Sequence, residues 1–125
     1  MKNFKYVGMI FLFLLTLVTV QPALADKSAV TITAPEAVAK GTEVTVKLSV
    51  THSGNNRFHY TNWVTLKAND KEVTRWEFTG SKRPEAEVFT REFKIMVNEP
   101  LELTAEANCN MHGSKGPAKW KISIK

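Results

Sequence analysis

From residue 30 onward, apolar and polar positions alternate with period two along most of the chain. Successive side chains of a strand point to opposite faces, so this alternation marks strands with one buried face. Val30, Ile32 and Ala34 open the series, which stops at Pro35. A longer set, Val44, Val46, Leu48 and Val50, follows Gly41. Trp63 to Ala68 and Glu72 to Phe78 flank Asn69-Asp70, a pair that suits a tight hairpin. Phe89, Phe93, Ile95 and Val97 mark a fifth strand, broken by Asn98-Glu99-Pro100. Leu101, Leu103, Ala105 and Ala107 mark a sixth, and Trp120, Ile122 and Ile124 a seventh. No stretch sustains a 3.6-residue period, and there is no internal repeat. Seven short strands in about 100 residues predict an all-β, seven-stranded immunoglobulin-like β-sandwich. Gly80 to Glu87 is the only long loop the pattern predicts.

The first 25 residues follow a different rule. Lys2 and Lys5 precede an almost unbroken apolar run from Val7 to Val20, and Ala23-Leu24-Ala25 gives the small-x-small pattern of a cleavage site. The run is short of the roughly 20 residues that span a bilayer. Residues 1–25 therefore read as a signal peptide and 26–125 as one domain, exported to the periplasm or beyond and not membrane-bound after cleavage. No cysteine lies near the cut, which excludes a lipoprotein.

Composition narrows the function. With 43% hydrophobic and 23% charged residues, the chain is globular, not disordered. The formal charge of +5 falls to +3 without Lys2 and Lys5, too small and too evenly spread for nucleic-acid binding. One cysteine forms no intramolecular disulfide and no four-thiolate centre. There is no carboxylate pair, Ser-His-Asp arrangement or Gly-rich phosphate loop.

What remains is a cluster of metal-binding residue types. One further step along the inward set 44–50 lands on His52, and one further step along 101–107 lands on Cys109. Both candidate ligands then sit on the core-facing side where their strands end, at the sandwich rim. His59 lies seven residues after His52, and Cys109-Asn110-Met111-His112-Gly113 sets a thiolate and an imidazole three residues apart in a turn. All three histidines and the only cysteine thus fall in two loops, which points to a metal site made by His52, His59, Cys109 and His112. A thiolate with imidazoles suits zinc, copper or iron and disfavours calcium and magnesium. Blue-copper carriers share the sandwich but add an axial Met after the last His; nothing after His112 fills that role, and Met111 lies between the ligands. Phe58 and Tyr60 beside His59 read as packing residues, and Lys82-Arg83-Pro84 as a solvated turn that an acidic redox protein could also meet.

Cys109-Asn110-Met111-His112-Gly113 resembles the Cys-Asn-x-His-Gly signature of the superoxide reductases, the desulfoferrodoxin and neelaredoxin family. His59-Tyr60-Thr61-Asn62-Trp63-Val64 is similar to its His-Tyr-x-x-Trp-Ile segment, and His52 stands where its His-Pro-Met histidine would be. The resemblance implies one iron per chain, cycling between ferrous and ferric, that reduces superoxide to hydrogen peroxide. It implies Cys109 as the axial ligand, His52, His59 and His112 as three of four equatorial ones, and Lys27 as the lysine that draws in superoxide. The family's fourth histidine falls in a Glu-Lys-His segment whose nearest match here is Asp26-Lys27-Ser28, and Ser53-Gly54 replaces the Pro-Met. With one cysteine the chain lacks the family's extra four-cysteine domain, so electrons come from a separate donor protein. The alternatives are a non-catalytic copper- or iron-binding electron-transfer or metal-delivery protein, and a carrier that forms adducts on Cys109.

Overall fold

The structure, a computed structural model, describes residues 27–125; the expected signal peptide lies outside the described residues. The strands are β1 (Ala29–Thr33), β2 (Ala37–Val38), β3 (Thr42–Thr51), β4 (Thr61–Ala68), β5 (Lys71–Glu77), β6 (Val88–Val97), β7 (Leu101–Cys109) and β8 (Ala118–Ile124). They form a three-stranded sheet ordered β1-β3-β6 and a five-stranded sheet ordered β2-β8-β7-β4-β5. All neighbours are antiparallel except β2 and β8. The result is an all-β sandwich of immunoglobulin-like topology.

All seven expected strands are present, and β2 is an eighth. Pro35 has no N–H for a ladder, so β1 ends and the chain crosses to the other sheet, where Ala37 and Val38 pair with Ser123 and Ile124. Two residues are too few to leave an alternation signature. The indole N–H of Trp120 donates to the Pro35 carbonyl at 3.1 Å and pins the crossover.

The alternation works as read. Val46, Leu48 and Val50 of β3 meet Val64 and Leu66 of β4, Leu103, Ala105 and Ala107 of β7, and Ile122 of β8, all almost fully buried. The hairpin at Asn69-Asp70 has both residues in left-handed backbone, φ 49° and 66°, as a two-residue turn of matching twist requires. The Asn69 side chain accepts from Glu102 N at 2.9 Å and donates to the Pro100 carbonyl at 3.2 Å, closing this end of the sandwich.

Gly80–Glu87 is not the only long loop. Besides 78–87, the connections 52–60 and 110–117 are also long, and all three lie at the end of the sandwich opposite the Asn69-Asp70 hairpin, where β3, β5 and β7 finish and β4, β6 and β8 begin. Leu66 sits at the centre of the core; Leu66→Ala should lower the unfolding free energy by about 2–5 kcal/mol with an unchanged denaturant slope in a urea titration.

Candidate metal centre

Strand parity delivers the first two side chains. The buried set of β3 continues past Thr51 to His52, which is 3% exposed and whose N–H donates to the Glu87 carbonyl at 3.0 Å. The buried set of β7 ends on Cys109, 1% exposed.

A closed turn delivers the third. Cys109 N donates to the Gly113 carbonyl at 2.9 Å and Gly113 N to the Cys109 carbonyl at 3.0 Å. The three residues between them fold back, and Gly113 closes the loop at φ 86°, where a side chain would be strained. His112 therefore returns beside Cys109, with Nδ1 3.7 Å from Sγ. Met111 projects into water, as its position between ligands implies.

His59 is set by its own loop. Asn56 N donates to the His59 carbonyl at 2.9 Å, and the Asn56 Oδ1 accepts from Phe58 N and His59 N at 2.9 and 3.0 Å. Gly54 lies buried under the His59 ring, where an added Cβ would fall 2.5 Å from Nδ1. Asn110 then ties this loop to the Cys109 turn. Its N–H donates to the Tyr60 carbonyl at 3.1 Å, its Oδ1 accepts from Tyr60 N at 3.0 Å, and its Nδ2 donates to the Phe58 carbonyl at 3.0 Å. A bulge between Thr61 and Trp63 adjusts β4 where it pairs with Cys109 and Asn108.

The four side chains converge. Ligand atoms of His52, His59 and Cys109 lie within 4.8 Å of one another, and His112 Nδ1 is 3.2 Å from His59 Nε2. Neighbouring imidazoles meet nearly at right angles, 88° between His52 and His59 and 77° between His59 and His112. Two donors on one ion stand at most about 4–4.5 Å apart for bonds of 2.0–2.3 Å, so His52, His59 and Cys109 lie within tenths of an ångström of that reach, and His112 joins them through His59 and Cys109. The donor set of a buried thiol and three imidazoles fits iron, copper or zinc. Exposure is graded across it: His52 and Cys109 are buried, His59 half-buried and His112 exposed at the outer edge.

Ser28 is fully buried at the same rim. Its hydroxyl shares a 2.7 Å hydrogen bond with Thr61, and its backbone bonds Gly113 and Lys115. Lys27, immediately before it, is exposed. The start of the described chain is thus tied to the strand leaving His112, not a loose end. Phe58 corrects the sequence reading: it is 76% exposed instead of packed. Sequence reasoning also passed over Gly54, Asn56 and the clamping role of Asn110. The Asn56-x-x-His59 spacing carries an Asx-turn signal that could have found one of them.

A family model for desulfoferrodoxin matches residues 22–116. No curated protein matches the chain. Among solved structures, the superoxide reductase (neelaredoxin) from Ignicoccus hospitalis is similar at 24% identity, covering 79% of this chain and 82% of that one, with a TM-score of 0.67. The reduced superoxide reductase (neelaredoxin) from Archaeoglobus fulgidus is 23% identical over 76% of this chain and 89% of that one, TM-score 0.54. The sulfur carrier protein SoxY from Chlorobium limicola f thiosulfatophilum is 12% identical over 77% and 78%, TM-score 0.53, a likeness of fold alone.

Gly54→Ala should displace the His59 ring and weaken metal binding about 10–100-fold, as loss of a supporting group does, while the urea midpoint of the metal-free protein moves far less. Competition with a coloured chelator measures it.

Proposed function

The chain belongs to the desulfoferrodoxin family, and on that premise we propose that it is a mononuclear iron protein that reduces superoxide to hydrogen peroxide. The observation that carries this reading is the convergence of Cys109 with His52, His59 and His112 at one end of the sandwich, with one edge open to water. These four would hold the iron. Iron supplies the one-electron chemistry that no side chain here can perform, and a thiolate ligand raises electron density at the metal.

The chain's own residues do the rest. Superoxide gains one electron and two protons to become hydrogen peroxide, so the site must admit an anion and water-borne protons from one side only. Buried His52 and Cys109 close the core side, and the edge at His112 leaves the other open. Lys27, next to the anchored Ser28, places a cation near that rim and favours approach of the anion. The sequence-predicted signal peptide would put this activity in the periplasm or beyond, with a separate protein supplying electrons.

A second reading has one observation in its favour. The Ser28 hydroxyl is engaged with Thr61, which leaves three imidazoles and one thiolate, a full tetrahedral complement for zinc or copper in a non-catalytic protein. Metal analysis and the visible spectrum after oxidation separate the two. Iron near one per chain with a thiolate-to-metal band supports the reductase, and Cys109→Ser should remove both the band and superoxide consumption. Zinc or copper in its place would overturn it. Taking a four-donor site at about 10–16 kcal/mol, His52→Ala should cost about 3 kcal/mol of binding, roughly a hundredfold in affinity, read by chelator competition.

A further inference from the structure

We propose that the end of the sandwich bearing the candidate metal site docks on an anionic phospholipid surface. Phe58 and Met111 are 76% and 62% exposed, and each stands in the middle of a closed turn. The Asn56–His59 backbone pair closes the first turn and the Cys109–Gly113 pair the second. The hydrogen bond from Asn110 Nδ2 to the Phe58 carbonyl sets the two turns side by side. Two large apolar side chains thus lead the molecule at this end, one on each turn.

The backbone at Phe58 is already prepared to leave water. Its N–H donates to Asn56 Oδ1 at 2.9 Å, and its carbonyl accepts from Asn110 Nδ2 at 3.0 Å. A peptide group carried to the acyl boundary is costly unless its polar atoms are paired from within the protein. A soluble partner supplies such bonds itself, whereas hydrocarbon supplies none. Paired backbone under an exposed aromatic therefore favours lipid as the occupant.

Charge gathers around the same tips. The segments at this end, 27–28, 52–60, 78–87 and 110–117, carry five cations, Lys27, Arg57, Lys82, Arg83 and Lys115, against two carboxylates, Glu85 and Glu87. The rest of residues 27–125 holds ten basic and nine acidic residues, so nearly all the net charge lies at the end with the apolar tips. The five cations are exposed and none forms an ion pair among the described residues, while Glu85 is held by Arg91 at 2.9 Å. Gly80 packs on the Arg57 carbonyl with no room for a Cβ, which keeps the Lys82-Arg83 loop beside Arg57. Headgroup phosphates meet such cations, and the aromatic and thioether side chains reach the acyl boundary beneath. The attachment is peripheral and reversible, since two side chains fall far short of a permanent anchor.

The probes are vesicles of phosphatidylglycerol and of phosphatidylcholine, each sedimented with the metal-loaded protein at rising salt. The anionic vesicles should bind it at least about tenfold more tightly than the zwitterionic ones, with affinity falling as salt rises. Arg57→Glu, Lys82→Glu and Arg83→Glu together should weaken that binding about tenfold or more. Phe58→Ser with Met111→Ser should weaken it several-fold and keep the salt dependence. Phe58→Trp should add emission that shifts to the blue on anionic vesicles. Equal binding to both lipids, or undiminished binding in either multiple variant, overturns the proposal. Absence of vesicle binding also overturns it and leaves the two tips to a protein partner. Sedimentation is read without turnover, so a redox-inert metal would end the proposed reaction and leave these results standing.

Discussion

Three hydrogen bonds tie Asn110 to the His59 loop, and the site depends on them. The two loops that carry the candidate ligands are about fifty residues apart in the chain and belong to different strand ends. Asn110 bonds both Phe58 and Tyr60, the residues on either side of His59, while its own turn carries Cys109 and His112. One amide side chain thereby sets the His59 imidazole against the Cys109 turn. A neutral amide suits this task because it offers a donor and an acceptor at once, whereas an aspartate offers acceptors only.

The sandwich supplies the other half of the arrangement. Strands that bury every second side chain must at some point leave the core, and the last inward position then meets solvent on one side and apolar packing on the other. His52 and Cys109 occupy such positions. The interior behind them is close-packed and cannot yield, so two candidate ligands are fixed by the core and two by hydrogen-bonded loops. Candidate ligands held in this way need little rearrangement to accept a metal.

This division explains what the sequence made legible. His52 and Cys109 were found by counting in twos, because a strand converts sequence parity directly into side of the sheet. The type of turn at Asn69-Asp70 was legible for a similar reason: few residue pairs tolerate two left-handed positions. His59 was legible as a candidate but not its placement, since that depends on Asn56, on the space over Gly54 and on a bond from Asn110 across the fold. The exposure of Phe58 was illegible because nothing local distinguishes an aromatic that packs from one that faces water. β2 was invisible because two residues have no period.

Cys109 also makes the site its own clock. Its thiol is buried behind the turn closed by the Cys109–Gly113 hydrogen-bond pair, and the chain holds no other. Opening the turn breaks those two bonds and the three that Asn110 makes to Phe58 and Tyr60, about 3–7 kcal/mol net, against about 5–15 kcal/mol for unfolding a domain. The turn therefore opens more often than the sandwich unfolds, and a thiol reagent meets Sγ through that opening. The rate at which the folded protein is labelled thus measures the breathing of one rim loop, free of interference from any second sulfhydryl. A bound metal would slow that rate by occupying the sulfur itself.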